Sequence, residues 1–162
     1  MYEALEIGIP RHVQSFFARL QDFATKQGRS RVLLEDVEEV YRTGLLGPSG
    51  QTDLIHYETR LKDGLGGATA YSIAMEILAE AATRGVFTPR ARRCLERSYS
   101  ALHVDDAAGS TADVLEILEH DGYLEAGDGG HRFPSNLLKD WWKARFRDHR
   151  TPLEGRDRHG TS

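Results

Sequence analysis

A single cysteine, Cys94, stands in 162 residues. That excludes an internal disulfide and a cysteine-rich metal site, and it sets a reducing cytoplasm as the expected location. No apolar run approaches the ~20 residues that a membrane helix needs. The N-terminus lacks the charged-then-apolar pattern of a signal peptide. An excess of positive charge is missing too. The 21 basic and 25 acidic residues give a net charge of −4, which argues against a surface that grips nucleic acid throughout and leaves room only for a local basic patch.

Catalytic motifs are equally sparse. No Gly-x-x-x-x-Gly-Lys-Ser/Thr is present, so there is no phosphate-cradling loop followed by a lysine. Gly64-Leu65-Gly66-Gly67 lacks that lysine and a flanking strand and reads as a linker. Neither Gly-x-Ser-x-Gly nor His-Glu-x-x-His occurs. The seven histidines are scattered, none paired with another at helical ligand spacing. His120 ends a helix, where a cation suits the dipole. Cys94 lies among Arg92, Arg93 and Arg97, neighbours that lower a thiol pKa, but its pattern is that of a small core-facing residue. With no nucleophile–base pair and no metal set, a stand-alone enzyme ranks third among the readings.

What is present is organised around residues 110–142. Ser110 is suited to cap a helix, because its hydroxyl can accept an orphan N–H of the first turn. Val114, Leu115, Ile117, Leu118 and Leu124 supply an apolar face. Gly122 can take the positive φ that ends the helix. Tyr123 and Leu124 then begin a short strand, Gly127-Asp128-Gly129-Gly130 turns, and His131-Arg132-Phe133 returns as a second strand. A closing helix starts at Ser135. Helix, hairpin and helix in that order make the second half of a winged-helix domain.

Upstream, Gly8-Ile9-Pro10 opens a helix, since proline is at ease in a first turn. Val13, Phe16, Phe17, Leu20 and Phe23-Ala24 give it one apolar face, and Gly28 ends it. Arg29, Ser30 and Arg31 read as connector. Leu34-Glu35-Asp36-Val37 starts a second helix with acidic residues suited to its N-terminal dipole; Val37, Val40, Tyr41 and Leu45 face inward. Residues 44–50 read as loop. Thr52 or Asp53 caps a third helix carrying Leu54, Ile55, Tyr57, Glu58 and Leu61. The glycines at 64–67 mark a domain boundary and a hinge.

From Tyr71 a helix lined by Ile73, Ala74, Ile77, Leu78 and Ala81 runs to Gly85. Val86-Phe87 is a short strand candidate. Thr88-Pro89 is a cap followed by a proline at the first helical position, opening a helix whose core contacts are Leu95 and Tyr99. Residues 105–109 read as loop. The expected domains are 1–66, 67–149 and a polar, flexible tail at 150–162.

A helix-turn-helix places its second helix in the major groove. Here that helix, 111–120, carries Asp113, Glu116 and Glu119, with Asp121 just beyond, and no Lys or Arg, so duplex DNA would repel it. The preceding helix holds Arg90, Arg92, Arg93 and Arg97, and the hairpin offers His131 and Arg132. These six could grip phosphates without reading bases. Of Trp141-Trp142, about 100° apart on a helix, one is expected to plug the core beside Leu137, Leu138 and Phe146. The other is expected to cover the hairpin or meet a partner.

Three stretches carry a family likeness. They are Gly8-Ile9-Pro10-Arg11-His12-Val13-Gln14; Tyr57-Glu58-x-x-Leu61 followed by Ile73-Ala74-x-x-Ile77-Leu78; and Val114-Leu115-x-x-Leu118-x-x-Asp121-Gly122-Tyr123-Leu124 followed by Arg132-Phe133-x-Ser135-x-Leu137-Leu138-x-Asp140-Trp141-Trp142. Together they span residues 8–146 and resemble the C-terminal part of prokaryotic AAA+/STAND-type ATPases. The resemblance implies a mainly α protein, a helical lid-like bundle followed by a winged helix. It implies that Gly8, Pro10 and Arg11 lie on the nucleotide side, the proline against the base and the arginine toward the phosphates.

It also implies ATP or ADP with Mg in an intact parent ATPase, but no cofactor and no metal for this chain alone, which lacks the P-loop core and its Mg-binding acids. The expected partner is that core, in cis or in trans, with a protein partner or a second copy of the chain possible. The chain reads as an excised fragment, a split subunit or a degenerate stand-alone relative. The first functional expectation is therefore a non-catalytic regulatory and protein-interaction module. The second is a DNA-binding regulator, and no membrane association is expected.

Overall fold

The computed structural model describes residues 10–146 and 151–156; the side chains of residues 10–13, 15, 45, 48–54 and 56 lie outside that description. The described chain is mainly helical, with one small antiparallel sheet. Its helices are α1 (Pro10–Lys26), α2 (Leu34–Val40), α3 (Pro48–Gly64), α4 (Ala68–Arg84), α5 (Pro89–Ala101), α6 (Ala107–His120), α7 (Asn136–Phe146) and the single turn α8 (Leu153–Arg156). Strands β1 (Glu125–Gly127) and β2 (Gly130–Arg132) lie between α6 and α7. Among the described residues, no helix is long and apolar enough to cross a membrane. The chain divides into two compact units, one up to Glu58 together with Ser135–Leu137, the other Thr59–Pro134 together with Leu138 onward.

In the first unit, Phe16, Leu20, Val37, Val40 and Leu137 form a buried cluster, with Phe23, Tyr41 and Leu46 packed against it. Phe16, Leu20 and Ala24 recur every fourth residue, so α1 buries a narrow stripe. Phe17, expected on that stripe, is instead 43% exposed. It sits one position round the helix from Phe16, edge-on to it at 6.0 Å. Gly28, at φ 66°, ends α1 as expected. Two backbone bonds close the helix end, Arg29 N–H to Ala24 O and Gly28 N–H to Thr25 O, the pattern that a left-handed residue permits.

Residues 29–31 do more than connect. Arg29 Nη2 donates to Asp36 Oδ1 at 2.7 Å, while Asp36 Oδ2 accepts the N–H of Leu33 at 2.8 Å. Asp36 is buried. The Leu33 N–H holds its carboxyl below the ordinary carboxylate range, Arg29 adds to that, and burial opposes it.

The 44–50 loop is not found. A π-helical turn, Tyr41–Leu45, carries the backbone on from α2 and closes with Leu46 N–H on Tyr41 O. Helix α3 then begins at Pro48, which places Thr52 and Asp53 inside it rather than at its cap. The inward positions proposed for Val13, Leu45 and Leu54 concern side chains outside the description. Ile55 is exposed, whereas Leu61 is fully buried in the second unit.

That second unit is built on α4. Ile73, Ala74, Ile77, Leu78 and Ala81 are fully buried, and the run from Ile77 to Ala82 is buried without a break. An unbroken buried run means cover on every side of the helix. Helices α5 and α6, β2 and the C-terminal turn supply it, with Leu95, Val114, Leu115, Leu118, Tyr123 and Leu124 among the buried partners. Gly85, at φ 86°, ends α4. Thr88 caps α5 through Ala91 N–H at 3.0 Å, with Pro89 at the first helical position.

Helix α6 starts a turn earlier than Ser110. Asp106, itself left-handed at φ 48°, accepts the Gly109 N–H at 3.0 Å and caps it. The helix therefore absorbs the end of the expected 105–109 loop, and Ser110 lies inside it. Gly122 ends α6 at φ 75°. Gly122 N–H and Tyr123 N–H go back to Glu119 O and Leu118 O, and Leu124 N–H also reaches Leu118 O. Tyr123 and Leu124 thus spend their N–H groups on the helix end, and β1 starts only at Glu125.

The hairpin pairs Glu125 with Arg132, Ala126 with His131 and Gly127 with Gly130. Val86-Phe87 joins it through one residue rather than as a strand: Phe87 and His131 exchange both backbone hydrogen bonds, at 2.8 and 3.0 Å. Gly130 makes the approach possible, because at φ 141° an added Cβ would lie 2.2 Å from Phe87 O. Both tryptophans are buried, Trp141 at 6% and Trp142 at 0% exposure. They lie edge to face at 4.8 Å, and Trp142 stacks on Phe146 at 5.9 Å.

Residues 151–156, inside the segment read from sequence as a tail, pack within the second unit. Leu153 is 1% exposed, and its N–H donates to the buried carboxylate of Glu80 at 3.1 Å.

Two outcomes are expected from this architecture. Gly130→Ala will lower second-unit stability by roughly 1–3 kcal/mol, the usual cost of a strained backbone position, and will abolish the protection of the Phe87 and His131 amides in hydrogen exchange. For Asp36, the lowered pKa means stabilisation that is present above the ordinary carboxylate pKa of about 4 and is lost as pH falls through the depressed value. Asp36→Asn will lower the first unit's melting temperature at neutral pH and flatten its acid dependence, read by circular dichroism melts across that range.

Candidate functional site

The cations proposed for phosphate contact come from α5 and the hairpin. Thr88 and Pro89 start α5, and its side toward α4 buries Ala91, Cys94 and Leu95. The arginines therefore fall on the outer positions by helical geometry. The structure brings Arg90, Arg92, Arg132 and His131 against carboxylates. Arg92 Nε lies 2.7 Å from Glu96 Oε1, and Arg90 Nε lies 3.7 Å from Glu154 Oε2. His131 Nε2 lies 2.6 Å from Glu119 Oε1, and Arg132 Nε lies 2.8 Å from Glu125 Oε1.

Arg93 and Arg97 are exposed. They line a shallow groove of about 470 Å³ with Glu96, Ser100 and Ala108. Arg97 also folds back, its Nη2 3.4 Å from Cys94 Sγ and its Nε 3.4 Å from Arg93 O. Cys94 is buried, as its core-facing pattern predicts. The basic patch is therefore largely self-neutralised, and α6 beside it carries Asp113, Glu116 and Glu119. His120, at the end of α6, lies 3.1 Å from Asp121 Oδ1. Among the described residues, no group of three or more His, Cys, Asp or Glu is placed to hold a metal ion.

The nucleotide-side residues are placed only in part. Gly8 lies outside the described residues; Pro10 and Arg11 open α1, and their side chains lie outside the description. The glycines at 64–67 form no close cradle, since an added Cβ at Gly64, Gly66 or Gly67 would meet nothing within 4 Å. The sequence there carries no P-loop lysine either.

Two sites escaped the sequence. The first is a groove of about 820 Å³ within the first unit, walled by Phe17, Leu20, Gln21, Val32, Leu33 and Leu34 among others. Phe17, Val32, Leu33 and Leu34 are 43%, 45%, 48% and 76% exposed around it. The run Val32-Leu33-Leu34 was the available signal: three consecutive apolar residues at the entry to α2. The second is the seat of the C-terminal turn, signalled only by Leu153, a lone apolar residue in a polar stretch.

Compared with protein-family models, with curated proteins and with solved structures, the chain matches none.

Self-neutralisation has a measurable consequence. Changing Glu96, Glu119, Glu125 and Glu154 to Gln together will remove the carboxylates beside Arg90, Arg92, His131 and Arg132. The variant will bind a labelled DNA duplex at least tenfold more tightly than the unaltered chain at low salt, by fluorescence anisotropy. Adding Arg93→Ala and Arg97→Ala will reduce that gain.

Proposed function

We propose that the chain is a non-catalytic regulatory and protein-interaction module, a lid-like helical bundle followed by a winged helix, that works with a P-loop ATPase core supplied by another stretch of polypeptide. The order α4, Phe87 bridge, α5, α6, hairpin and α7 supports the winged-helix reading. In that arrangement α6 would be the recognition helix, and its acidic face disfavours duplex DNA. The observation that carries the proposal is the exposed apolar wall formed by Phe17, Val32, Leu33 and Leu34. Contiguous apolar surface of this kind marks a protein contact, and large apolar side chains at the centre of a contact carry most of its energy.

By the AAA+/STAND resemblance, the partner is the P-loop core and the nucleotide is ATP or ADP with Mg, bound on that core. When bound, the nucleotide would shift the module only through contacts that differ between two states. A cytoplasmic location goes with this reading. A winged-helix DNA regulator remains the second reading, and the exposed Arg93 and Arg97 favour it.

The test is direct binding of the purified chain to the P-loop ATPase core encoded with it, by calorimetry. Phe17→Asp and Leu34→Asp sit on exposed positions, so the fold will survive while affinity falls at least tenfold, about 1.4 kcal/mol or more. Unchanged affinity in both variants, or ATP turnover by the chain alone, would overturn the proposal.

A further inference from the structure

The C-terminal turn contacts α4 and the start of α5 as a ligand contacts a receptor. Leu153 is buried, and its N–H goes to Glu80 Oε2 at 3.1 Å. Glu154 Oε1 accepts from Thr88 Oγ1 at 2.9 Å, and its other oxygen lies 3.7 Å from Arg90 Nε. Arg156 reaches Glu76 with both terminal nitrogens, at 3.1 and 3.2 Å. Each chemical feature of the segment thus meets its complement on α4 or at the start of α5: an apolar seat, a hydroxyl and a guanidinium for the carboxylate, a carboxylate for the guanidinium. Bidentate arginine–carboxylate pairing adds geometric selectivity.

Within the segment, Gly155 N–H donates to Pro152 O at 3.0 Å and Arg156 Nε to Thr151 O at 3.1 Å. A four-residue helix cannot persist alone, so its shape depends on being docked. Apart from Leu153, no side chain of residues 151–156 is fully buried, and the Arg90 side chain is 66% exposed. Segments with few buried contacts occupy the low end of local stability and open without global unfolding.

We propose that residues 151–156 are an intramolecular ligand that keeps a peptide-binding socket closed, and that the socket takes, from a partner protein, a segment of the pattern apolar–acidic–any–basic. The tether gives the resident segment an effective concentration of order millimolar, so an untethered competitor binds well only once the resident one is released.

Hydrogen exchange on the unaltered full chain is the first measurement. The amides of residues 153–156 will exchange at least 100-fold faster than those of Ile77 and Leu78; equal protection would overturn the proposal. The second measurement is NMR titration with the free peptide Thr-Pro-Leu-Glu-Gly-Arg at millimolar concentration. It will shift resonances of Glu76, Glu80 and Thr88 in the full chain carrying Leu153→Asp, and will bind the unaltered chain at least tenfold more weakly.

A peptide ending in Glu in place of Arg will fail on the Leu153→Asp chain and recover when Glu76→Arg is added. Binding indifferent to these charges, or no binding to Leu153→Asp, would overturn the proposal. Concentration-dependent dimers of the unaltered chain that vanish with Leu153→Asp would assign the socket to a second copy and overturn the partner reading.

Discussion

An apolar helix needs cover on all sides, and the second unit is built to supply it to α4. From Ile77 to Ala82 every side chain is buried, which no single neighbouring helix could achieve. The alanines at 74, 79, 81 and 82 let neighbours approach, while Ile73, Ile77 and Leu78 fill the space between them. One of these buried positions is a glutamate, and a buried carboxylate is costly without a hydrogen-bonding partner. Glu80 takes the Leu153 N–H. Covering the helix and satisfying its glutamate are both served by the same C-terminal turn.

Charge is arranged on a second principle. Arg90, Arg92, His131 and Arg132 each lie beside a carboxylate. On exposed side chains such pairs contribute little stability, ~0–1 kcal/mol each. Their larger effect is on the field around α5 and the hairpin, which the paired carboxylates make less positive. Glu119 is informative because it lies on α6 and pairs with the hairpin.

The first unit treats apolar surface differently. Its core is small: Phe16, Leu20, Val37, Val40 and Leu137. Phe17, Val32, Leu33 and Leu34 are left in solvent around a groove, while the entry to α2 beside them is held firmly by the Arg29–Asp36 pair and the Leu33 N–H.

Local chemistry made much of this fold legible in the sequence. Gly28, Gly85 and Gly122 end α1, α4 and α6, because a positive φ is a property of the residue itself. Thr88-Pro89 opens α5 for the same kind of reason, and the spacing of Ile73, Ala74, Ile77, Leu78 and Ala81 names the buried face of α4. Competition between neighbours was harder to read. Asp106 outbids Ser110 for the free N–H groups of α6, and the bonds closing that helix delay β1 to Glu125. The pairing of Arg90 with Glu154, of Arg156 with Glu76 and of His131 with Glu119 was decided only by the tertiary structure. Those charges are distant along the chain, and nothing in composition or periodicity specifies which carboxylate each cation meets. Leu153 makes the same point: in sequence it is one apolar residue in a polar stretch, and only the packed α4 gives it a place to be buried.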